Sequence, residues 1–153
     1  LQYQKGAWVL HMLRNYVGED NFREGIRNYY TKYYNLSTTT EEFKLEMENV
    51  SGKDLDTFFD QWLYKGGIMK LDVSWEYNER KKEIEIDLSQ VQNDGYLFEM
   101  PLEIEIHYDE KKSIIKTINI DEKSKKYIIS SDYNPKEIKL DPHIKLLAEW
   151  SIN

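Results

Sequence analysis

The sequence predicts an α+β chain in two parts, an N-terminal antiparallel α-helical segment followed by an antiparallel β-sandwich of about seven strands. Apolar residues recur at helical spacing up to about Gly67, whereas beyond Leu71 they alternate with polar residues. The period changes across Lys65-Gly66-Gly67, and paired glycines commonly interrupt regular structure. We therefore expect a helical domain at residues 1–67 and a sandwich at residues 68–153.

The first two helices are predicted from apolar stripes separated by a glycine. The first stripe comprises Trp8, Val9, Met12, Leu13 and Tyr16. Gly18 follows in the C′ position, where glycine adopts a left-handed conformation without strain. The second stripe comprises Phe22, Ile26, Tyr29, Tyr30 and Tyr33. Gly18 should therefore separate two amphipathic helices.

Two further helices are predicted from capping residues. Thr39 precedes Glu42 by the spacing of a capping box, which places the start of a third helix here. Ser51 is predicted to cap a fourth helix, with Asp54 and Asp56 in its first turn at the positive end of the helix dipole. The apolar face of this fourth helix is Leu55, Phe58, Phe59, Trp62 and Leu63.

The second half of the chain contains short segments in which apolar and polar residues alternate. The segments are LDVSWEY, EIEIDLS, PLEIEIHY, SIIKTINI, KYIIS and EIKLD. Turn residues separate them, as in Asn134-Pro135-Lys136. Six or seven such strands predict two antiparallel sheets packed face to face.

Composition excludes several classes of function. The 21 basic and 28 acidic residues leave a net charge of −7, which argues against nucleic acid as a partner. The chain has no cysteine, so a disulfide, a thiolate metal site and a Cys nucleophile are all excluded. No apolar stretch approaches the roughly 18 to 20 residues that a transmembrane helix needs.

A complete catalytic motif is missing as well. The three histidines, His11, His107 and His143, do not form the H-E-x-x-H pattern of a zinc site, because Asn15 stands four residues after His11. The chain has no G-x-S-x-G elbow, and Gly66-Gly67 lacks the rest of a phosphate-binding loop. We therefore expect no metal ligand and no cofactor-binding residue within this chain.

The first 70 residues present a series of features in a recognisable order. They begin with Tyr3-Gln4-Lys5-Gly6-Ala7 and continue through Gly18-Glu19, Thr39-Thr40, Ser51-Gly52-Lys53-Asp54-Leu55 and Phe58-Phe59 with Trp62 to the paired glycines. This order resembles the gluzincin zinc aminopeptidases of the aminopeptidase N-like family, in the segment just after the zinc-binding motif. The alternating second half, with Leu140-Asp141-Pro142 near its end, is similar to the β-sandwich that follows the catalytic domain in that family.

The resemblance implies one catalytic residue, Tyr3. In the family, the tyrosine of Tyr-Glu-Lys-Gly stabilises the oxyanion of the tetrahedral intermediate, and Tyr3 occupies its position although Gln4 replaces the glutamate. A phenol with a pKa near 10 is a neutral O–H donor at pH 7. The family's zinc ligands and its exopeptidase motif lie upstream, so the resemblance implies a distal fragment of a zinc aminopeptidase that is inactive alone. The substrates of the parent would be peptides with a free N-terminus.

Two other interpretations remain open. The chain could be a non-catalytic interaction module, with helices and an immunoglobulin-like sandwich, or its sandwich could bind glycans through aromatic residues. The aromatic candidates are Trp75, Tyr77, Tyr96 and Tyr108. A cut through a catalytic domain would also leave apolar helical surface exposed, so we expect such a fragment to self-associate.

Overall fold

The chain forms two compact units, residues 1–65 and residues 66–153. A computed structural model describes residues 2–93, 95–109 and 112–153, and it does not describe the side chains of Gln2 and Tyr3. The first unit is helical and the second consists of two β-sheets. The predicted α+β class, with helices first and a seven-stranded sandwich after them, is confirmed.

Gly18 separates the first two helices, as predicted. Helix α1 spans Gln2–Val17 and helix α2 spans Glu19–Lys32. The φ angle of Gly18 is 91°, which favours glycine, and its amide donates to the carbonyl of Arg14 at 3.0 Å. Its own carbonyl accepts the amide of Phe22 at 2.9 Å, so one residue ends α1 and begins α2.

Helix α3 begins at the predicted capping box. It spans Thr40–Ser51, and the backbone amide of Thr39 donates to the carboxylate of Glu42. The prediction that Ser51 caps the next helix is wrong. Ser51 is the last residue of α3, and its hydroxyl donates to the carbonyl of Met47 at 2.6 Å. Gly52, with a φ angle of 67°, then ends the helix in the left-handed conformation.

The fourth helix begins later than predicted and changes its winding. Helix α4 spans Asp56–Phe59 and continues as a π-helical segment, Asp60–Tyr64. An Asx turn precedes it, in which the Asp54 carboxylate accepts the amide of Asp56 at 2.9 Å. The predicted apolar face is buried as far as Trp62. Leu63 lies at the surface instead, because the wider π-turn alters the residue spacing of the helix face.

The apolar stripe predicted for α2 is only partly buried. Ile26 and Tyr30 are 39% and 66% exposed. The fully buried residue of this helix is Gly25, which faces Met47 on α3. A glycine lets the two backbones approach closely, so the α2–α3 contact is centred on a residue that hydrophobic periodicity does not mark.

Replacing Gly25 by alanine should destabilise the helical unit. An added Cβ would lie 2.7 Å from Sδ and 2.9 Å from Cε of the buried Met47. Overpacking costs about 1–3 kcal/mol, against a gain of about 1 kcal/mol in helix propensity. We expect Gly25→Ala to lower the free energy of unfolding in urea by up to about 2 kcal/mol.

The matched control for that substitution is Gly6→Ala in α1. A Cβ at Gly6 would meet no atom within 4 Å, so only the propensity gain remains. We expect Gly6→Ala to raise the free energy of unfolding by about 0.5–1 kcal/mol. Equal effects of the two substitutions would show that α2 and α3 are not closely packed at Gly25.

The second unit contains seven strands in two sheets. The strands are β1 (Met69–Asn78), β2 (Glu83–Gln90), β3 (Met100–Asp109), β4 (Lys112–Ile120), β5 (Ser124–Ser130), β6 (Glu137–Leu140) and β7 (Ala148–Ile152). Their order is β5-β2-β1-β7 in one sheet and β4-β3-β6 in the other. Strands β1 to β6 were expected from the alternation of apolar and polar residues. Within each sheet these six strands pair in antiparallel orientation. The exception is β7, which pairs with β1 in parallel.

The sandwich core consists of the alternate residues of the central strands. In β3 the buried residues are Met100, Leu102, Ile104 and Ile106. In β2 they are Ile84, Ile86 and Leu88, as the alternation predicts. Ser131 also joins the two sheets. Its backbone carbonyl accepts the hydroxyl of Tyr77 at 3.0 Å, and its side-chain hydroxyl forms a hydrogen bond with that of Tyr108 at 2.9 Å.

Candidate functional site

The predicted catalytic residue lies in the first turn of α1. Tyr3 belongs to this helix, but its side chain falls outside the described residues. Gly6, Leu10 and Leu13 follow it in the sequence at a spacing that brings these three residues to one face of the helix. The predicted role of Tyr3 therefore remains a prediction.

That face of α1 borders an apolar groove in the helical unit, with a volume of about 410 Å³. Its α1 wall contains Gly6, Val9, Leu10 and Leu13. The opposite walls contain Phe43, Phe59 and Leu63, with Tyr29 and residues 38–40 at one end. Leu10 and Leu63 are 45% and 39% exposed, so the groove is open to solvent.

The polar end of the groove is fixed by internal hydrogen bonds. The hydroxyl of Tyr29 bonds that of Thr38, and the hydroxyl of Thr39 donates to Glu42 at 2.9 Å. Among the described side chains, the lining includes no carboxylate, imidazole or amine. The described part of this groove can bury apolar side chains. Sequence reasoning missed it, although its lining includes the apolar residues Leu10 of α1 and Leu63 of the π-helical segment.

Within the part of the chain that the structure describes, one acidic group could hold a metal ion, and it does not suit catalytic zinc. The carboxylate oxygens of Glu48, Asp54 and Asp56 lie within 4.8 Å of one another. Glu48 accepts the amide of Leu55 at 2.9 Å, and Asp56 pairs with the ammonium of Lys44. Catalytic zinc sites use histidine nitrogen, which this group lacks. These carboxylates order the loop between α3 and α4.

The hydrogen bonds that Lys44 donates to the carboxylates of Asp56 and Glu41 raise the pKa of Lys44 above its ordinary value. Lys44 therefore stays protonated at neutral pH. A cation bound at Asp56 would lie next to the positively charged ammonium of Lys44, and the two charges would repel each other. This charge is a further reason why a divalent metal does not fit the group.

Each histidine contacts a residue of its own unit. His11 is exposed on α1, and its ring lies edge-on to that of Trp8, with the ring centroids 5.5 Å apart. His107 on β3 contacts the carboxylate of Glu105 at 3.0 Å, and His143 contacts Glu103 at 2.7 Å. Each of the three imidazoles therefore contacts a different residue.

The aromatic residues considered for glycan binding do not form one exposed surface. Trp75 and Tyr77 lie on the same side of β1 as the buried residues Met69, Leu71 and Val73. The hydroxyls of Tyr77 and Tyr108 are directed to Ser131. These three side chains therefore contribute to the sandwich, which leaves no stacked aromatic platform among them.

The sequence of the helical unit is similar to that of one peptidase family. Residues 1–62 match the peptidase family M1 domain. Among curated relatives, the chain is 36% identical over 76 residues to aminopeptidase A of Gloydius brevicauda, a match that covers 48% of this chain and 8% of the relative. It is 29% identical over 118 residues to aminopeptidase N of Escherichia coli (strain K12), covering 73% of this chain and 13% of the relative.

A solved structure shows that the fold extends beyond the helices. The crystal structure of Legionella pneumophila aminopeptidase A in complex with aspartic acid matches 98% of this chain and 18% of its own, with a TM-score of 0.83 and 21% identity. At this identity the likeness concerns the fold. The chain spans well under a quarter of the length of these relatives. No helix in the described ranges is long and apolar enough to cross a membrane.

Proposed function

We propose that this chain is the distal part of a zinc-dependent aminopeptidase that removes N-terminal residues from peptides. Residues 1–67 form the end of its catalytic domain and residues 68–153 its β-sandwich domain. The observation that supports this proposal most is the M1 match, which begins at the stretch containing Tyr3-Gln4-Lys5-Gly6. The aminopeptidase names of the curated relatives support the same activity.

The proposed role of Tyr3 is to donate a hydrogen bond to the carbonyl oxygen of the scissile peptide bond as that oxygen becomes negative. A phenol is suited to this role, because it stays protonated at pH 7 and is a weak nucleophile. A preorganised donor of this kind stabilises a transition state by about 2.7–4 kcal/mol. Tyr3 is placed in the first turn of α1, so the rigid helix fixes its backbone.

Zinc would supply the Lewis acid and the activated water for hydrolysis. Because the acidic group at Glu48, Asp54 and Asp56 does not fit that metal, we propose that the zinc ligands belong to sequence outside this chain. The chain alone should therefore have no peptidase activity. Its catalytic contribution would be the Tyr3 hydroxyl.

The experiment that tests this proposal compares two proteins on an aminoacyl-4-nitroanilide. One is the 153-residue chain, and the other is the longest open reading frame that contains it. We expect zinc-dependent release of nitroaniline from the longer protein only, together with an H-E-x-x-H motif upstream of Leu1 and a glutamate about twenty residues after it. A longer protein without this motif, or without activity, would favour the non-catalytic interaction module.

We also propose that the isolated chain self-associates through the open groove of the helical unit. Exposed apolar surface of this kind favours association in water. Sedimentation velocity should show oligomers that increase with concentration, and Leu10→Lys should shift the population towards monomer. Leu45 is the matched control, because it is also 45% exposed but does not line the groove. A monomer at all concentrations, or equal effects of Leu10→Lys and Leu45→Lys, would contradict the proposal.

A further inference from the structure

Strand β7 lies at the edge of its sheet, and none of its side chains is fully buried. Trp150 and Ile152 are 40% and 38% exposed, and the strand pairs in parallel with Met69–Val73 of β1. Side-chain contacts add to this pairing. Ser151 and Asn153 donate to Asp72 at 2.7 and 3.0 Å, and Lys70 pairs with Glu149 at 3.0 Å on the surface. Exposed contacts of this kind contribute little, so β7 should be the least stable strand of its sheet.

The connection from β6 to β7 contains unfavourable backbone geometry. This segment leaves the sheet of β6 and enters the sheet of β1. Asp141 and Ile144 have φ angles of 47° and 52°. Asp tolerates this region, but for a β-branched residue such as Ile144 it costs about 1–3 kcal/mol. The connection therefore persists only because other contacts hold it in place.

Hydrogen bonds to Glu103 of β3 and to Asp141 hold the connection in place. Glu103 accepts the Nδ1 of His143 at 2.7 Å on one oxygen and the Nζ of Lys145 at 2.5 Å on the other. Its backbone carbonyl accepts the amide of Asp141 at 2.8 Å. The carboxylate of Asp141 in turn accepts the amides of Lys145 and Leu146 at 2.8 and 2.9 Å. One β3 residue thus binds the side chains of both His143 and Lys145.

We propose that Glu103, His143 and Lys145 form a charge latch that keeps β7 paired to β1, and that loss of the Glu103 charge frees this edge strand. Release of β7 would uncover the amides and carbonyls of Met69–Val73.

The latch should open in acid. Burial disfavours the charge of Glu103, but the hydrogen bonds from Lys145 and His143 outweigh it and hold the pKa of Glu103 below its ordinary value of 4.5. A carboxylate with a lowered pKa in the folded state contributes stability that is present above pH 4.5 and is lost as the pH falls through the folded pKa. The residue opposite Glu103 on β4 is Thr117, which does not ionise. The charged groups around the latch are therefore His143, Lys145 and Asp141.

Hydrogen exchange of the whole chain at pH 7 tests the latch without protonating other carboxylates. Glu103→Gln removes the charge and keeps the shape of the side chain. We expect the amides of residues 148–152 to exchange about tenfold faster in this variant, while those of β2 are unchanged. The matched control is Glu149→Gln, which removes an exposed carboxylate on β7 itself and should change exchange less than about twofold.

A second variant removes the two side chains that bind the Glu103 carboxylate. His143→Gln with Lys145→Gln leaves β3 intact and should accelerate exchange in β7 as Glu103→Gln does. Selective acceleration in β7 in either variant supports the latch. The proposal is overturned if β7 exchanges at the wild-type rate in both, or if all strands accelerate together, since the cluster would then stabilise the sandwich as a whole.

Discussion

Replacing Tyr3 by phenylalanine in the intact enzyme is expected to lower kcat by about two to three orders of magnitude while the zinc content stays unchanged. The substitution removes one oxygen and keeps the aromatic ring, so the helix and its packing are preserved. The loss should appear in kcat and in kcat/KM alike, because the proposed hydrogen bond forms only as the oxyanion develops. Steady-state kinetics on an aminoacyl-4-nitroanilide, with metal analysis of both proteins, measure the effect.

The control for this substitution is Tyr30→Phe. Tyr30 lies on α2 with 66% of its surface exposed, so removal of its hydroxyl should leave turnover unchanged. A Tyr3→Phe enzyme with wild-type kcat would remove Tyr3 from the mechanism. If KM rose while kcat remained constant, Tyr3 would contribute to ground-state binding instead.

Phe59→Ala is expected to have the largest effect on stability in the helical unit. Phe59 is 2% exposed and lies where α4 passes into the π-helical segment. Its ring contacts those of Phe43 and Phe58, with centroids at 6.3 and 5.8 Å. Truncation of a buried Phe costs about 3–5 kcal/mol through lost transfer energy and the cavity that remains. Urea unfolding followed by helical circular dichroism should show a decrease of this size.

An exposed aromatic residue of the same segment serves as the reference for Phe59. Tyr64 is 65% exposed, and Tyr64→Ala should change the free energy of unfolding by no more than about 0.5 kcal/mol. A cost below about 1 kcal/mol for Phe59→Ala would mean that the helical unit collapses around the missing ring, or that its core does not include this position.

Features that depend on neighbouring residues could be predicted from the sequence. The capping box at Thr39 and Glu42 requires a spacing of three residues, and the separation of α1 from α2 requires one glycine at Gly18. The prediction that Ser51 caps the fourth helix was wrong for a reason that is also local. A serine can begin a helix or bond back to a carbonyl four residues earlier, and here the carbonyl of Met47 is its acceptor.

Features that depend on distant residues could not be predicted in this way. Strand β7 pairs with a strand 79 residues earlier in the chain, and it is too exposed to show a buried alternation. The role of Gly25 depends on Met47 of the next helix. The groove arises only when α1, α3 and α4 are brought together, because its walls come from separate helices.

The candidate catalytic residue was reached by resemblance alone. Spacing and charge identify Tyr3 as an aromatic residue at a helix start, with no partner in the sequence that would activate it. An oxyanion donor acts through a substrate atom, and it requires neither a neighbouring base nor a shifted pKa. Its chemistry therefore leaves no pattern in the surrounding residues.

The most direct test of the central claim is the affinity of a phosphinic pseudopeptide, a mimic of the tetrahedral intermediate, for the intact enzyme and for its Tyr3→Phe variant. If Tyr3 donates to the oxyanion, calorimetry should show that the substitution weakens binding of the mimic by about 100- to 1,000-fold, with little change for an amino acid product. Equal affinity of both proteins for the mimic would contradict the account.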